Sequence, residues 1–193
     1  MARIFMTRRS LFLRLLSLIL ISTSLIAAPL NNSAQAASKE KIERRVAKAL
    51  IVFKDEVGGA EKLLDQAAGA LIFPSVKKAG IGIGGEYGEG ALQVNGQSIA
   101  YYSTAAASIG FQLGAQARTQ ILLFMEQKAL DKFRNSDGWE VGVDGSVALI
   151  TLGAGGEIDA TKLDEPIIGF ILNNKGLMYN LSLEGSKITE IER

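Results

Sequence analysis

The apolar positions of this chain follow helical spacing in one early segment and strand-like alternation in the rest. In residues 39–57 they recur every three or four positions, which predicts an amphipathic helix with one apolar stripe: Ile42, Val46, Ala49, Leu50, Phe53 and Val57. Ser38 is placed to cap that helix at its N-terminus, and the Gly58-Gly59 pair is expected to break or kink it. Residues 60–67 then predict a second short helix.

From residue 70 onwards the pattern is typical of β-strands. Pro74 is expected to stop the first strand, and Val94-Asn95-Gly96-Gln97 predicts a tight hairpin turn. One helical pattern, at 126–135, interrupts the strands and places three apolar residues on its inner side: Ala129, Leu130 and Phe133. Strands are predicted at 70–73, in the glycine-rich stretch at 80–92, and at 98–102, 107–116, 119–124, 141–143, 146–152, 166–172, 176–183 and 187–191, the last as a terminal edge.

Glycine is concentrated in the sequence GIGIGGEYGEGAL, residues 80–92. Because each glycine costs backbone entropy on folding, such density is expected where a sheet coils strongly or where two backbones approach closely. The stretch also contains G-x-G-x-x-G, but a dinucleotide site needs a helix directly after that motif, and Glu86-Tyr87-Gly88 disfavours one. The predicted fold class is therefore α+β: N-terminal amphipathic helices packed on a strongly curved, mostly antiparallel sheet that is either open or barrel-like.

Residues 1–36 carry the features of an export signal. Four arginines, an apolar run at 15–28 and the cleavage sequence Ala34-Gln35-Ala36 fit a signal peptide. A Sec leader is favoured, although Arg8-Arg9 also fits the twin-arginine route. The remaining residues, 37–193, are predicted to form a single domain with a helical segment at 39–67 and a β-rich body at 70–191. The expected location is the periplasm or the surface of the cell envelope.

The chain contains neither cysteine nor histidine. These absences exclude disulfides, a lipidated N-terminal cysteine, Ser-His-Asp hydrolysis and histidine metal sites. Glu86 with Glu89 is a candidate acid/base pair and Asp137 with Asp144 a candidate calcium site, but exposed strand ends and turns explain both pairs more simply. We therefore predict no enzymatic activity, no metal and no cofactor. Trp139 is expected to plug one end of the sheet, with an interfacial membrane anchor as the alternative.

Charge is distributed unevenly once the leader is removed. Residues 37–193 keep 17 basic and 20 acidic residues, for a net charge of −3, while the segment 39–54 alone carries +4. The remainder then carries −7, which argues against a nucleic-acid partner because acidic surfaces repel phosphate. A basic amphipathic helix is typical of a segment that lies on an anionic membrane surface. The alternative is that the apolar stripe packs on the sheet and the basic flank is only solvated.

Four motifs, in this order, resemble the SYLF domain family: FPSVKKAG at 73–80, GIGGEYGEGAL at 82–92, SDGWEVGVDGSVAL at 136–149 and NNKGLMYNLSLEG at 173–185. The resemblance spans about residues 45–191 and implies a bacterial, exported, non-enzymatic lipid-binding domain. Eukaryotic relatives bind phosphoinositide-containing membranes, and some fungal relatives bind and bundle actin. An exported bacterial protein is not expected to meet actin, and phosphoinositides are scarce in bacteria, so other anionic phospholipids are the expected ligands.

The expected function is thus peripheral binding of anionic phospholipid at the bacterial envelope through the basic helix. The predicted lipid-binding residues are four basic residues of the helix, three apolar residues of its stripe and a second basic pair on a loop after Pro74: Lys41, Arg44, Arg45 and Lys48; Ile42, Leu50 and Phe53; Lys77 and Lys78. One alternative is an envelope interaction or assembly module that binds another protein through the curved sheet. A hydrolase built on unpaired carboxylates is the third candidate.

Overall fold

The computed structural model describes residues 38–110, 116–150, 162–173, 176–177 and 182–193, with the side chains of 79–83, 108–110, 116 and 176–177 outside that description. Residues 37–193 form a compact unit of their own. The predicted export signal at 1–36 lies outside the described residues, as do the parts of predicted strands at 111–115, 151–152 and 178–181.

Within the described residues, two helices precede the sheet and a third interrupts it. The helices are α1 (Lys39–Glu56), α2 (Ala60–Gln66) and α3 (Gln127–Arg134). The strands are β1 (Gly69–Val94), β2 (Gln97–Gly110), β3 (Gln116–Phe124), β4 (Trp139–Glu140), β5 (Ala148–Leu149), β6 (Ile167–Asn173), β7 (Gly176–Leu177) and β8 (Lys187–Ile191).

The bounds of α1 follow from its capping residues, as the sequence predicts. Ser38 is the N-cap, and its Oγ accepts a hydrogen bond from the backbone N–H of Lys41 at 3.3 Å. The helix ends just before the glycine pair, where Gly59 adopts a φ of +79°, a conformation that residues with a Cβ rarely adopt. The predicted helices at 60–67 and 126–135 are also confirmed, each within one residue at either end.

Strand β1 is far longer than predicted, because it passes through Pro74 instead of stopping there. Its residues 69–78 pair with β3, its residues 82–94 pair with β2, and a bulge after Phe73 accommodates the proline. The two halves of β1 also approach each other closely. A Cβ added at Gly90 would collide with the carbonyl oxygen of Ile72, so the expectation that glycine permits close backbone approach is confirmed there.

The strands form one mixed sheet, curved like half a barrel, on which the three helices pack. Its order is β4-β8-β2-β1-β3-β6-β5, with β7 paired to β6, and within the described ranges only the pair β5–β6 is parallel. The α+β class is therefore confirmed. Three further strand predictions are wrong. Residues 142–144 form a turn closed by a bridge between Val141 and Gly145, and β8 lies between β4 and β2 instead of at an edge. Residues 98–102 and 107–110, predicted in separate strands, belong to the one strand β2.

Alternation along the central strands produces two buried clusters on opposite faces of the sheet. The α1-side core joins the stripe of α1 to inward residues of the central strands, among them Ile42, Val46, Phe53, Ile72, Tyr101, Ile121 and Phe170. The α3-side core lies under α3 and includes Leu71, Phe73, Leu122, Phe124, Phe133 and Trp139. The helix α1 is consequently one layer of the domain and not an appendage to it.

Candidate functional site

The apolar stripe of α1 is docked on the sheet. Ile42 is 1% exposed and Phe53 is fully buried, with its ring centroid 4.8 Å from that of Phe170 in an edge-on arrangement. Leu50 is only partly buried, because it lies at the margin of the α1-side core. Insertion of Ile42 or Phe53 into a bilayer would therefore require α1 to leave the sheet.

The four predicted basic residues of α1 share its outward side. Lys41, Arg44, Arg45 and Lys48 are all exposed, which follows from their helical spacing relative to the buried stripe. We call these four residues the basic face. With the stripe docked, the basic face remains open to an anionic partner.

Two aliphatic residues extend this outward side towards the C-terminal end of α1, and the sequence analysis missed them. Ile51 is 60% exposed and Val52 is 43% exposed, and both follow the basic face at intervals of three or four residues. The sequence did contain a signal for their exposure, because neither residue fits the spacing of the buried apolar stripe. They give the outward side an apolar component that needs no undocking.

Polar contacts fix one flank of α1 to strand β2. Glu43 accepts hydrogen bonds from the hydroxyl of Tyr101 and, at 3.0 Å, from that of Ser98, and the Nζ of Lys39 lies 5.8 Å from the centre of the Tyr101 ring. Burial, and then the hydrogen bond to Glu43, raises the pKa of Tyr101 to about 12. Lys39 and Glu43 are thus engaged with the sheet, which separates them from the outward basic face.

The second predicted basic pair does not lie on a loop. Lys77 and Lys78 belong to strand β1 and pair with Ala117 and Gln116 of β3, because the strand resumes its ladder after the bulge at Pro74. Lys77 is exposed and Lys78 is partly buried. Their loop placement is therefore a wrong prediction, and among the residues that the structure describes no contact joins this pair to the basic face.

The carboxylates considered for catalysis are engaged in ion pairs. Glu86 pairs with Arg118, both side chains being at most 15% exposed, and Glu89 pairs with Arg193 at 2.7 Å. Glu89 also accepts a hydrogen bond from the hydroxyl of Tyr87 at 2.9 Å. Three positions apart on a strand, Glu86 and Glu89 point to opposite faces of the sheet and cannot act on one substrate atom.

The candidate calcium pair is likewise explained by local structure. The carboxylate of Asp144 accepts a hydrogen bond from the backbone N–H of Glu140 at 2.7 Å, which closes the turn, while Asp137 is exposed. In the part of the chain that the structure describes, no group of three or more acidic, cysteine or histidine residues is placed to hold a metal ion.

Trp139 lies in the α3-side core, so it is not a surface anchor. It is 1% exposed, packs edge-on against Phe133 with ring centroids 5.7 Å apart, and lies under Gly145, where a Cβ would come 2.7 Å from the indole. None of the helices in the described ranges has the length and hydropathy needed to cross a bilayer.

Comparison with known proteins supports the resemblance found in the sequence. A family model described as Ysc84, Las17-binding protein actin regulator, matches residues 105–193, in agreement with the SYLF resemblance. The matched stretch includes the motifs at 136–149 and 173–185, whereas α1 lies before it. A search of the curated proteins found no match.

Proposed function

We propose that this chain, whose residues 105–193 match the SYLF family model, is a member of that family and binds anionic phospholipid peripherally, without enzymatic activity, at the bacterial envelope. The proposed contact is the outward side of docked α1. There the basic face meets lipid headgroups, while Ile51 and Val52 enter the interface between headgroups and acyl chains.

One observation carries this proposal: α1 presents four exposed basic side chains and two exposed aliphatic side chains on one side while its opposite stripe is buried in the core. Single exposed aliphatic residues are normal on a surface helix, so the support comes from the position of Ile51, which is 60% exposed, next to the basic face on the same side of α1. The combination of cations with aliphatic groups is the composition that binds an anionic bilayer interface.

The size of the electrostatic contribution supports this mode of binding. Each basic residue near an anionic surface contributes up to about 1 kcal/mol, so the basic face supplies up to ~4 kcal/mol, roughly a thousandfold in affinity. The rest of the domain, which is net acidic, is repelled by the same surface. The resulting charge asymmetry orients the molecule with α1 towards the membrane.

The test is co-sedimentation of residues 37–193, which form a compact unit, with neutral and with anionic phosphatidylglycerol vesicles at low and high salt. One variant changes the basic face to glutamine at Lys41, Arg44, Arg45 and Lys48. A matched control changes four exposed basic residues elsewhere to glutamine: Lys62, Lys128, Arg134 and Lys187. A third variant, Ile51→Ser with Val52→Ser, removes the aliphatic component.

We expect binding that is selective for anionic vesicles, falls at high salt and is lost in the basic-face variant but retained in the control. The serine variant is expected to bind several-fold more weakly at every salt concentration. Equal loss in the control would show that only net charge matters, and it would contradict a role for α1. Absence of binding to every vesicle would overturn the proposal in favour of a protein-interaction module.

A further inference from the structure

A cleft of about 610 Å³ lies beside the outward side of α1, where α1, α2 and the turn between β1 and β2 meet. Its volume falls in the range of about 300–1,000 Å³ that is usual for small-molecule sites. The lining residues come from all three elements and from the start of β1: Ala47, Leu50, Lys54, Leu64, Asp65, Ala67, Gly69, Ala70, Gln93, Asn95 and Gly96. Neither the basic face nor the family match includes any of them.

The lining is graded from apolar to polar. Ala70 is 7% exposed, and the partly buried Leu50 and Leu64 pack against the α1-side core, so these three residues give the cleft one hydrocarbon wall. Lys54 and Asp65, by contrast, are exposed and place charged groups towards solvent. A lining that changes from alkyl to charged groups over one cleft complements an amphiphile, because the ligand has the same gradient.

The apolar residues of the lining favour an unbranched chain over an aromatic or peptide ligand. All of them are alanine or leucine, so no lining side chain can stack on a ring. At the polar end, the Nζ of Lys54 lies 3.2 Å from a carboxylate oxygen of Glu61, and both side chains are well exposed. Because an exposed ion pair of this kind is worth little, Lys54 can turn from Glu61 to an anionic headgroup at small cost.

We propose that this cleft binds one acyl chain of a lipid, with the headgroup beside Lys54. The proposal rests on the proposed function, since it supplies a second contact with the lipids that the basic face gathers. Ala47, Leu50 and Lys54 lie on the flank of α1 next to Ile51, so the cleft and the outward side share one helix. Leu50 thereby contacts lipid from the cleft, while Ile42 and Phe53 stay in the core.

The test uses soluble fatty acids and residues 37–193, so that it does not depend on vesicle binding. Octanoate, decanoate and dodecanoate, each below its micelle concentration, are titrated calorimetrically. Full burial of a methylene group is worth about fourfold in affinity, so we expect affinity to rise by up to that factor per carbon and to level off once the cleft is full. This dependence on chain length distinguishes a hydrocarbon site from binding to surface charge.

Variants assign the binding to the cleft. Ala47→Trp places an indole in the cleft from an exposed helix position and is expected to weaken dodecanoate binding at least tenfold. Gln66→Trp, on α2 but outside the lining, is the matched control and is expected to bind as the wild type does. Leu64→Gln puts an amide into the apolar part of the lining. It is expected to weaken binding of every fatty acid, while the affinity still levels off at the same chain length.

The outcomes separate this proposal from the proposed function. No dodecanoate binding, or equal binding by wild type and Ala47→Trp, overturns the acyl-chain site even if vesicles bind the basic face. Dodecanoate binding that Ala47→Trp abolishes supports the site, even in the variant that lacks the basic face. If Ala47→Trp binds vesicles more weakly than the wild type, with the same salt dependence, the acyl chain comes from a bilayer lipid. If its affinity for vesicles is unchanged, the chain comes from a free fatty acid.

Discussion

Phe53 is the residue that best separates the structural side of α1 from its proposed binding side. The change Phe53→Ala removes a fully buried ring whose centroid lies 4.8 Å from that of Phe170. Truncating a buried phenylalanine costs about 3–5 kcal/mol, and loss of the edge-on pair places this site in the upper part of that range. With a urea dependence of about 2 kcal/mol per molar, the unfolding midpoint is expected to fall by roughly 2 M.

The assay is urea unfolding of residues 37–193 followed by circular dichroism, with Ile51→Ala as the control on the outward side. Because Ile51 is 60% exposed, this control is expected to change the free energy of unfolding by less than ~0.5 kcal/mol. The folded Phe53→Ala protein is expected to bind anionic vesicles as the wild type does. A Phe53→Ala protein with wild-type stability and lost vesicle binding would refute the docked helix and favour insertion of the stripe.

Three further predictions follow from other contacts. Gly90→Ala is expected to cost at least ~2 kcal/mol in thermal unfolding, because its Cβ collides with the backbone of Ile72, and wild-type stability would contradict that close approach. Arg118→Leu leaves the carboxylate of Glu86 enclosed without its partner and is expected to lower the free energy of unfolding, measured in urea, by about 3 kcal/mol. Replacing both residues by leucine should lower it less, and an equal or greater loss in the double variant would count against the enclosed pair. The folded state raises the pKa of Tyr101 to about 12, so the neutral hydroxyl stabilises the fold fully below pH ~10, the pKa of an unfolded tyrosine. The free energy of unfolding is therefore expected to fall as the pH rises from 10 towards 12, and to fall less in Tyr101→Phe. Identical pH profiles for the two proteins would refute this.

The helices and the tight turn were predictable from sequence because their signals are local. Helical spacing, a serine cap and a glycine pair define α1, and the turn at Asn95-Gly96 has positive φ at both residues, as its sequence predicts. The length of β1 was not predictable in this way. A proline usually ends a strand, and its passage here depends on a bulge whose register is set by pairing with β3, a contact distant in sequence.

The candidate site was likewise predictable from sequence only where its signals are local. Exposure of the basic face follows from helical spacing alone, since Lys41, Arg44 and Lys48 lie opposite the stripe. Whether that stripe packs or inserts depends on what the sheet offers it, and the ring of Phe170 comes from a strand more than a hundred residues later. The placement of Leu50 in a cleft depends equally on α2 and the β1–β2 turn, so no local pattern predicts it.

For the proposed lipid binding, docking of α1 determines which kind of membrane we expect the protein to recognise. A free amphipathic segment pays to order its backbone on the bilayer and recovers that cost by inserting a whole apolar stripe. In the proposed binding mode the docked helix pays no such cost, and its outward side inserts only Ile51 and Val52, so the contribution of that side to binding is mainly electrostatic. Its affinity is therefore expected to follow the anionic lipid fraction and the salt concentration, and to be nearly independent of vesicle radius. Stronger binding to small vesicles at constant anionic fraction would show that α1 leaves the sheet and inserts its stripe where curvature opens gaps between lipids.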